Sequence, residues 1–322
     1  MSLRTVLTTA CLSAALVATG TAGAQASPRH HQHPGGSGPT QIALPDGFQP
    51  EGIAIGRAPV AYLGSRADGD IYAANLRTGR GEVIVQGPGT ASLGMKLDRD
   101  RLFVAGGAAG DARVIDVRQR TVVRSFTFAT ATPTAPTDPT PPTFVNDVVL
   151  GKRHAWFTDS RRPELYRVDR YGSSTAVTTL PLGGAWSQVP GVNNANGIAL
   201  TPDGRALLVV QSSTGYLFRV DPGTGAARRV DLGGTLLTNG DGLLVRGRTL
   251  YAVQNRLNQV AVVRLNQAGT SGVLTRTITS PSFRVPTTVA AYRGALYLPN
   301  ARFGVANPET ADYDLTKVSL RR

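Results

Sequence analysis

One short unit recurs six times along this chain, and the repeat restricts the fold more than any other feature of the sequence. Each unit opens with a small or polar residue and a short apolar run, at residues 52–55, 94–97, 147–150, 197–200, 242–245 and 288–291. A later run of the form apolar-x-x-Val-Asp also recurs, for example at 165–169 and 217–221. An internal period of about 40 to 50 residues is typical of propellers and similar arrays, in which each repeat forms one sheet.

The clearest unit spans residues 196–230 and has the pattern of a four-stranded sheet. Turn sequences at 202–204 (Pro-Asp-Gly) and 222–225 (Pro-Gly-Thr-Gly) separate runs of β-branched, aromatic and other apolar residues. Six such units predict an all-β chain, folded as a six-bladed β-propeller over residues 41–322. No stretch after residue 40 shows the sustained period of about 3.6 residues that marks a helix, which argues against a two-domain α/β fold.

The last unit lacks a fourth strand after residues 314–320, while an apolar segment, 41–44, stands ahead of the first unit. This segment is suitable to complete the last sheet. We therefore expect a ring closed by its own N-terminal strand, which removes the exposed sheet edge that would invite aggregation.

The first residues have the pattern of a secretory signal peptide over residues 1–26. Arg4 precedes an apolar stretch, 6–17, which is too short for a membrane span, and Ala24-Gln-Ala26 is a typical cleavage site. Residues 27–40, with three histidines and Pro-Gly-Gly-Ser-Gly, predict a disordered leader. We expect a secreted, extracellular protein without a transmembrane segment. Its mature form would have no disulfide, because the only cysteine is Cys11.

The chain carries a formal net charge of +13, mostly from arginine. Such a charge attracts a protein to anionic cell-surface polymers. The arginines are dispersed, and no basic run is interleaved with aromatic residues, which argues against nucleic acid as a partner. A Pro/Thr-rich insert at 130–143 cannot pair in a sheet and is predicted to be a loop between two blades.

The residue just before each apolar run is the most informative position for function. The first strands of a propeller line its central channel, so equivalent positions form a ring around the axis. In chain order, the six residues are Glu51, Leu93, Asn146, Asn196, Asp241 and Thr287. Four of them, the two carboxylates and the two asparagines, carry side-chain oxygens suited to a cation. Two carboxylates and two amides, without sulfur or imidazole, form a hard ligand set that suits Ca²⁺ best, with Mg²⁺, Mn²⁺ or Zn²⁺ as alternatives.

The segments at 49–52, 145–148, 196–204 and 239–242 resemble those of the gluconolactonase / senescence-marker-protein / luciferin-regenerating-enzyme superfamily. The segment Asn-Gly-Ile-Ala-Leu-Thr-Pro-Asp-Gly at 196–204 is the most specific. The resemblance implies a six-bladed propeller with a divalent cation bound by a Glu, an Asn and an Asp, which match Glu51, Asn196 and Asp241. A further Asn, which matches Asn146, binds the metal or the substrate, and many members hydrolyse lactones.

Two departures bear on the substrate. Family gluconolactonases have an arginine that holds the sugar lactone where this chain has Phe144, so a more apolar lactone or ester fits better. The histidine dyad of the related paraoxonases has no counterpart. Hairpins between second and third strands return to the same end of the ring as the predicted metal ligands. The start of the first strand in the third unit and these hairpins supply the candidate substrate contacts. They are Asn146, Phe144, Arg66, Asp159, Gln211, Asn255 and Asn300.

Two functions are compatible with these features. The first is a metal-dependent hydrolase, in which the cation polarises the carbonyl of a small lactone or ester and Asp241 or Glu51 accepts a proton from water. The second is a non-catalytic secreted propeller that serves as a ligand-binding or cell-surface scaffold, since a fold does not fix a function. A monomer is expected in either case.

Overall fold

The computed structural model describes residues 38–129 and 142–320. The predicted signal peptide, 1–26, lies outside the described residues, as do most of the predicted leader and most of the Pro/Thr-rich insert. Within the described part, no helix is long and apolar enough to cross a membrane. The described residues form β-strands joined by turns, with one short 3₁₀ helix.

The strands form six sheets that follow one another along the chain as the blades of a propeller. The chain first forms β1 (Gln41–Leu44), which belongs to the last blade. Blade 1 contains β2 (Pro50–Ile55), β3 (Val60–Ser65), β4 (Ile71–Asn75) and β5 (Gly81–Val85). Blade 2 contains β6 (Met95–Asp98), β7 (Arg101–Ala105), β8 (Asp111–Asp116) and β9 (Thr121–Thr127). Blade 3 contains β10 (Val145–Leu150), β11 (His154–Asp159), β12 (Glu164–Asp169) and β13 (Val177–Pro181).

Blade 4 has a fifth strand, because the short β14 pairs in parallel with β18. Its strands are β14 (Gly183–Gly184), β15 (Ala195–Leu200), β16 (Leu207–Gln211), β17 (Tyr216–Val220) and β18 (Ala226–Arg229). Blade 5 contains β19 (Gly240–Arg246), β20 (Thr249–Gln254), the 3₁₀ helix η1 (Asn255–Leu257), β21 (Gln259–Leu265) and β22 (Gly272–Thr279). Blade 6 contains β23 (Ala290–Tyr292), β24 (Ala295–Pro299) and β25 (Tyr313–Ser319). The predicted all-β, six-bladed propeller is confirmed.

The ring is closed by the N-terminal strand, as predicted. Strand β1 pairs antiparallel with β25, with Gln41 opposite Thr316 and Leu44 opposite Tyr313. Ile42, which is 2% exposed, points into the core between blades 6 and 1. The contact extends before β1, because the backbone N–H of Lys317 donates to the carbonyl of Thr40 at 2.8 Å. The hydrogen-bonded contact with blade 6 therefore includes Thr40, the residue that precedes β1.

The core is divided among the six interfaces between neighbouring blades. Each interface holds one apolar cluster, drawn from the facing sides of two sheets. Met95 of blade 2, for example, packs with Ile71 of blade 1, and Phe103 of blade 2 packs with Phe157 of blade 3. Because both faces of each sheet are covered, burial of these side chains holds the blades in a fixed order around the axis.

Candidate metal centre

In four blades the first strand is interrupted by a β-bulge, and each bulge contains one predicted metal ligand. The pairing skips from Pro50 to Ile53 in blade 1, from Val145 to Val148 in blade 3, from Ala195 to Ile198 in blade 4 and from Gly240 to Leu243 in blade 5. These breaks hold Glu51, Asn146, Asn196 and Asp241. The described pairs of β6 and β23, in the blades that carry Leu93 and Thr287, show no such shift. Bulges re-aim side chains, often next to functional sites.

The inner strands also approach each other very closely at this level. A Cβ atom on Gly197 would lie 2.1 Å from the carbonyl oxygen of Asp241, and one on Gly52 would lie 2.0 Å from that of Leu93. Only glycine permits such an approach between two backbones. In blades 1, 4 and 5 the glycine that follows the ligand position therefore lets the inner strands of adjacent blades approach this closely.

The two asparagines are held by serines in their own blades. Nδ2 of Asn146 donates to Oγ of Ser160 at 2.9 Å, and Nδ2 of Asn196 donates to Oγ of Ser212 at 3.0 Å. Ser160 in turn donates to the carbonyl of Ala195 in the next blade at 2.6 Å. Since the NH₂ groups bind the serines, the amide oxygens are left as acceptors for another partner. Oδ1 of Asn196 is buried and has no hydrogen-bond partner within the described residues.

The two carboxylates are more deeply buried than ionised groups usually are. Glu51 is 6% exposed and Asp241 is 3% exposed. Oε2 of Glu51 is buried without a hydrogen-bond partner in the described part of the chain. Burial, followed by the charges of Asp241 and Asp147, raises the pKa of Glu51 well above its usual range. Burial also raises the pKa of Asp241 to about 7, although a hydrogen bond from Asn255 partly offsets this effect.

A third buried carboxylate, Asp147, lies close enough to raise the pKa of both groups. It accepts hydrogen bonds from the backbone N–H groups of Val148, at 2.8 Å, and Ile198, at 3.3 Å. Lys96 forms an ion pair with it, with Nζ 3.5 Å from Oδ1. Sequence reasoning missed this pair, because Asp147 was assigned only to the start of an apolar run. Lys96 therefore pairs with Asp147, whereas Glu51 and Asp241 have no ion-pair partner among the described residues.

Among the predicted substrate contacts, Asn255 binds one ring carboxylate, and Arg66 acts on the other through its charge. Nδ2 of Asn255 donates to Oδ2 of Asp241 at 2.6 Å. The charge of Arg66 lowers the pKa of Glu51. Phe144 is partly buried and packs against the cluster between blades 2 and 3.

The structure does not bring Asp159, Gln211 and Asn300 into this cluster. Asp159 is fully buried and accepts hydrogen bonds from the backbone N–H of Phe144, at 2.9 Å, and from the hydroxyl of Tyr166, at 3.0 Å. Gln211 and Asn300 are buried in the same way. Their side-chain amides donate to the carbonyls of Ser187 and Ser282, respectively, at 2.8 Å. These three side chains hold the loops in place.

The side chains that bind ring residues and those that support the loops differ in position by one residue along the chain. Ser160, Ser212 and Asn255 directly follow Asp159, Gln211 and Gln254, and each binds the ring residue of its own blade. Successive side chains of a strand point to opposite sides, so a shift of one residue separates a support from a site contact. The alternation within each hairpin was the signal that could have identified Ser160 and Ser212.

The donor set fits a hard divalent cation, on the chemistry of its members and on the two orphaned oxygens of Glu51 and Asn196. Among the described residues, no group of three or more His, Cys, Asp and Glu side chains is placed to hold a metal ion. The candidate centre differs from such groups because two of its four members are asparagines. Carboxylate and amide oxygens are the ligands that Ca²⁺ takes in proteins.

Comparison with known proteins identifies the fold. No protein-family model matches the sequence, and a search of curated proteins found no match. Similar solved structures include the major allergen Mala s 1 of Malassezia sympodialis, with a TM-score of 0.65 and 18% identity over 87% of this chain and 96% of that chain. They also include the calcium-binding protein regucalcin of Agrobacterium tumefaciens, with a TM-score of 0.60 and 16% identity over 86% and 93% of the two chains.

Virginiamycin B lyase of Staphylococcus aureus is also similar, with a TM-score of 0.55 and 13% identity over 86% of this chain and 99% of that chain. The presence of regucalcin among these structures agrees with the resemblance that the sequence motifs suggest. Identities at this level show a shared propeller fold, on which different functions are found.

Proposed function

We propose that this chain is a hydrolase of lactones or related esters that depends on a divalent cation, most favourably Ca²⁺. The observation that carries the proposal is the pair of buried oxygens without partners, Oε2 of Glu51 and Oδ1 of Asn196. A buried acceptor without a partner costs about 1 to 3 kcal/mol, and more for a charged group. A cation bound at the ring would satisfy both oxygens.

Glu51, Asn146, Asn196 and Asp241 would hold the cation. Their four side chains are oxygen donors, and the two carboxylates carry the two negative charges that a divalent cation would neutralise. Oxygen donors suit Ca²⁺, and Mg²⁺ or Mn²⁺ less well, whereas Zn²⁺ favours nitrogen and sulfur ligands. The similarity to a calcium-binding regucalcin supports the same choice.

When bound, the cation would supply a Lewis acid for the substrate carbonyl. The chain itself supplies two carboxylates that can accept a proton from water as the water adds to the carbonyl carbon. The ring C–O bond then breaks and the leaving oxygen takes up the proton, so that a lactone and water give a hydroxy acid. Asn255 holds one oxygen of Asp241, which makes Asp241 the better-oriented of the two bases.

The test combines calcium calorimetry with hydrolysis assays on aliphatic and sugar lactones in the presence of Ca²⁺, Mg²⁺, Mn²⁺ or Zn²⁺. We expect Ca²⁺ binding at one site, Ca²⁺-dependent hydrolysis, and loss of turnover in Asp241→Asn. Asp203→Asn, in the turn between β15 and β16, is the matched control and should behave as the parent protein. Undiminished turnover in Asp241→Asn at full calcium occupancy would reject Asp241 as the base. Calcium binding without hydrolysis of any lactone would favour the non-catalytic scaffold.

We further propose that the protein is exported, on the basis of the signal-peptide pattern at residues 1–26. Mass spectrometry of protein recovered outside the cell should give a mature N-terminus near residue 27. A full-length chain that stays inside the cell would contradict this part of the proposal.

A further inference from the structure

Two guanidinium groups meet on one aromatic ring near the candidate metal centre. Cζ of Arg66 lies 5.2 Å from the centroid of the Phe303 ring, and Cζ of Arg256 lies 5.9 Å from it. Arg66 follows β3 of blade 1, Arg256 lies in η1 of blade 5, and Phe303 follows β24 of blade 6. Since blade 6 lies between blades 5 and 1 in the ring, the three side chains converge from adjacent blades.

Arg66 occupies the site-facing position of its hairpin. Its backbone N–H donates to the carbonyl of Gln49 at 3.0 Å, as that of Ser160 donates to Phe144 at 2.9 Å and that of Ser212 to Asn194 at 2.9 Å. In blades 3 and 4 this position holds a serine that binds the ring asparagine. Blade 1 has an arginine there, and its charge acts on Glu51.

Arg256 is connected to the other ring carboxylate. Its backbone N–H donates to Oδ1 of Asn255 at 2.6 Å, and Asn255 donates to Asp241. The charge of Arg66 therefore acts on Glu51, while the backbone of Arg256 is linked through Asn255 to Asp241.

Neither guanidinium forms an ion pair within the described residues, unlike Arg284 and Arg302 of blade 6, which both pair with Asp312. Arg66 makes one side-chain hydrogen bond, from Nη2 to Oε1 of Gln49 at 2.8 Å, and its Nε is buried without a partner in the described part of the chain. A buried guanidinium N–H without an acceptor is unfavourable, and a carboxylate is the acceptor that best matches its geometry.

We propose that the substrate carries a carboxylate group, which binds between Arg66 and Arg256 while its reacting carbonyl faces the ring residues. Both guanidinium groups contact the Phe303 ring, and a carboxylate between them would offset their repulsion. The apolar part of the substrate then lies towards Phe144 on blade 3. This inference rests on the proposed function and specifies its substrate class as anionic lactones or esters.

The first test measures binding to the calcium-loaded protein, with cyclopentanone carboxylate as an unreactive analogue and the neutral cyclopentanone carboxamide as its partner. We expect the carboxylate to bind more tightly than the amide, and Arg66→Gln or Arg256→Gln to weaken carboxylate binding ~10- to 100-fold with little change for the amide. Arg293→Gln is the matched control, because Arg293 also lies over an aromatic ring, Tyr292, at 5.5 Å, but in the turn at the opposite end of β24.

The second test compares hydrolysis of a γ-butyrolactone carboxylate and its carboxamide by the same variants. Equal binding of the charged and neutral analogues by the parent protein, or equal losses in Arg66→Gln and Arg293→Gln, would overturn the anionic subsite. Carboxylate-selective binding that is lost in the two variants, without hydrolysis of either lactone, would support the subsite and reject the hydrolase. Calcium binding and circular dichroism of each variant show whether its fold is kept.

Discussion

The side-chain amide of Asn255 donates a hydrogen bond of 2.6 Å to Oδ2 of Asp241, a carboxylate that is 3% exposed. The backbone N–H of Arg256 donates to Oδ1 of the same Asn255 side chain. Asn255 is therefore fixed at both ends and holds Asp241 in one orientation. It lowers the pKa of Asp241, in opposition to burial.

Replacement of Asn255 by alanine should weaken Ca²⁺ binding. Partners of this kind, which bind a ligand rather than the metal, typically contribute about 10- to 100-fold in metal affinity. We expect a loss of that size by calorimetry, and a larger loss at lower pH because Asp241 would hold its proton more tightly. Asn266→Ala, in the turn between β21 and β22 of the same blade, is the control. Equal calcium affinity in the two variants would contradict a role for Asn255 in the centre.

The stability of the metal-free protein should depend on pH through Glu51 and Asp241. Both groups have a raised pKa in the folded state, so between about pH 4 and about pH 7 the folded chain holds protons that the unfolded chain has released. The free energy of unfolding therefore falls as pH rises through this window. Each pKa unit by which the folded value exceeds the unfolded value adds about 1.4 kcal/mol to the free energy of unfolding that is lost as pH rises.

Urea unfolding in the presence of a chelator, at a series of pH values, measures this effect. The double variant Glu51→Gln, Asp241→Asn is the reference. It keeps the other carboxylates, including Asp312 and Asp221 with their lowered pKa values, so their effect on stability is the same in both proteins. The parent protein should lose stability relative to this variant as pH rises, and Ca²⁺ should restore it most at high pH. A pH-independent difference between the two proteins would be incompatible with buried, proton-binding carboxylates.

Gly197→Ala should disrupt the ring at the level of the candidate centre. The added methyl group would lie 2.1 Å from the carbonyl oxygen of Asp241, so one of the two inner strands must move. We expect a loss of about 1 to 3 kcal/mol in stability, as for other overpacked sites, together with weaker calcium binding. Gly183→Ala, where a methyl group meets no atom within 4 Å, is the control. The same thermal midpoint for both variants would disprove the close approach.

Ile42→Ala tests the closing strand. Ile42 is 2% exposed in the core between blades 6 and 1, and its truncation should cost about 2 to 5 kcal/mol. Gln41→Ala, at the exposed neighbouring position of the same strand, should change stability by less than about 0.5 kcal/mol. Similar urea midpoints for both variants would mean that β1 contributes little to the closed ring.

Much of the fold could be predicted from the sequence because a propeller is built from near-identical units. The apolar runs that begin at residues 52, 94, 147, 197, 242 and 288 all fall on first strands or directly beside them. The position of the closing strand followed from one missing strand at the other end of the chain. Four positions in register led to the candidate ligands; the structure places them at four equivalent bulges, and their binding of a metal stays a prediction.

The surroundings of the ring were harder to predict, for a physical reason. The hairpins contain two adjacent polar residues, as in Asp159-Ser160 and Gln211-Ser212, and only the strand register decides which one faces the ring. The Lys96–Asp147 ion pair joins neighbouring first strands through side chains that the apolar pattern concealed. The meeting of Arg66 and Arg256 on Phe303 depends on three loops from three blades, whose conformations the repeat does not determine.

Closure by β1 also determines how the ring would come apart under tension. Because β1 and β25 run antiparallel, with Gln41 opposite Thr316 and Leu44 opposite Tyr313, the segments before β1 and after β25 leave the sheet at the same end. A force that pulls these two segments apart would break the hydrogen bonds between β1 and β25 one after another from that end, rather than all at once. The seam in blade 6 would open first, while the other five sheets, each formed from one continuous segment, kept their pairing.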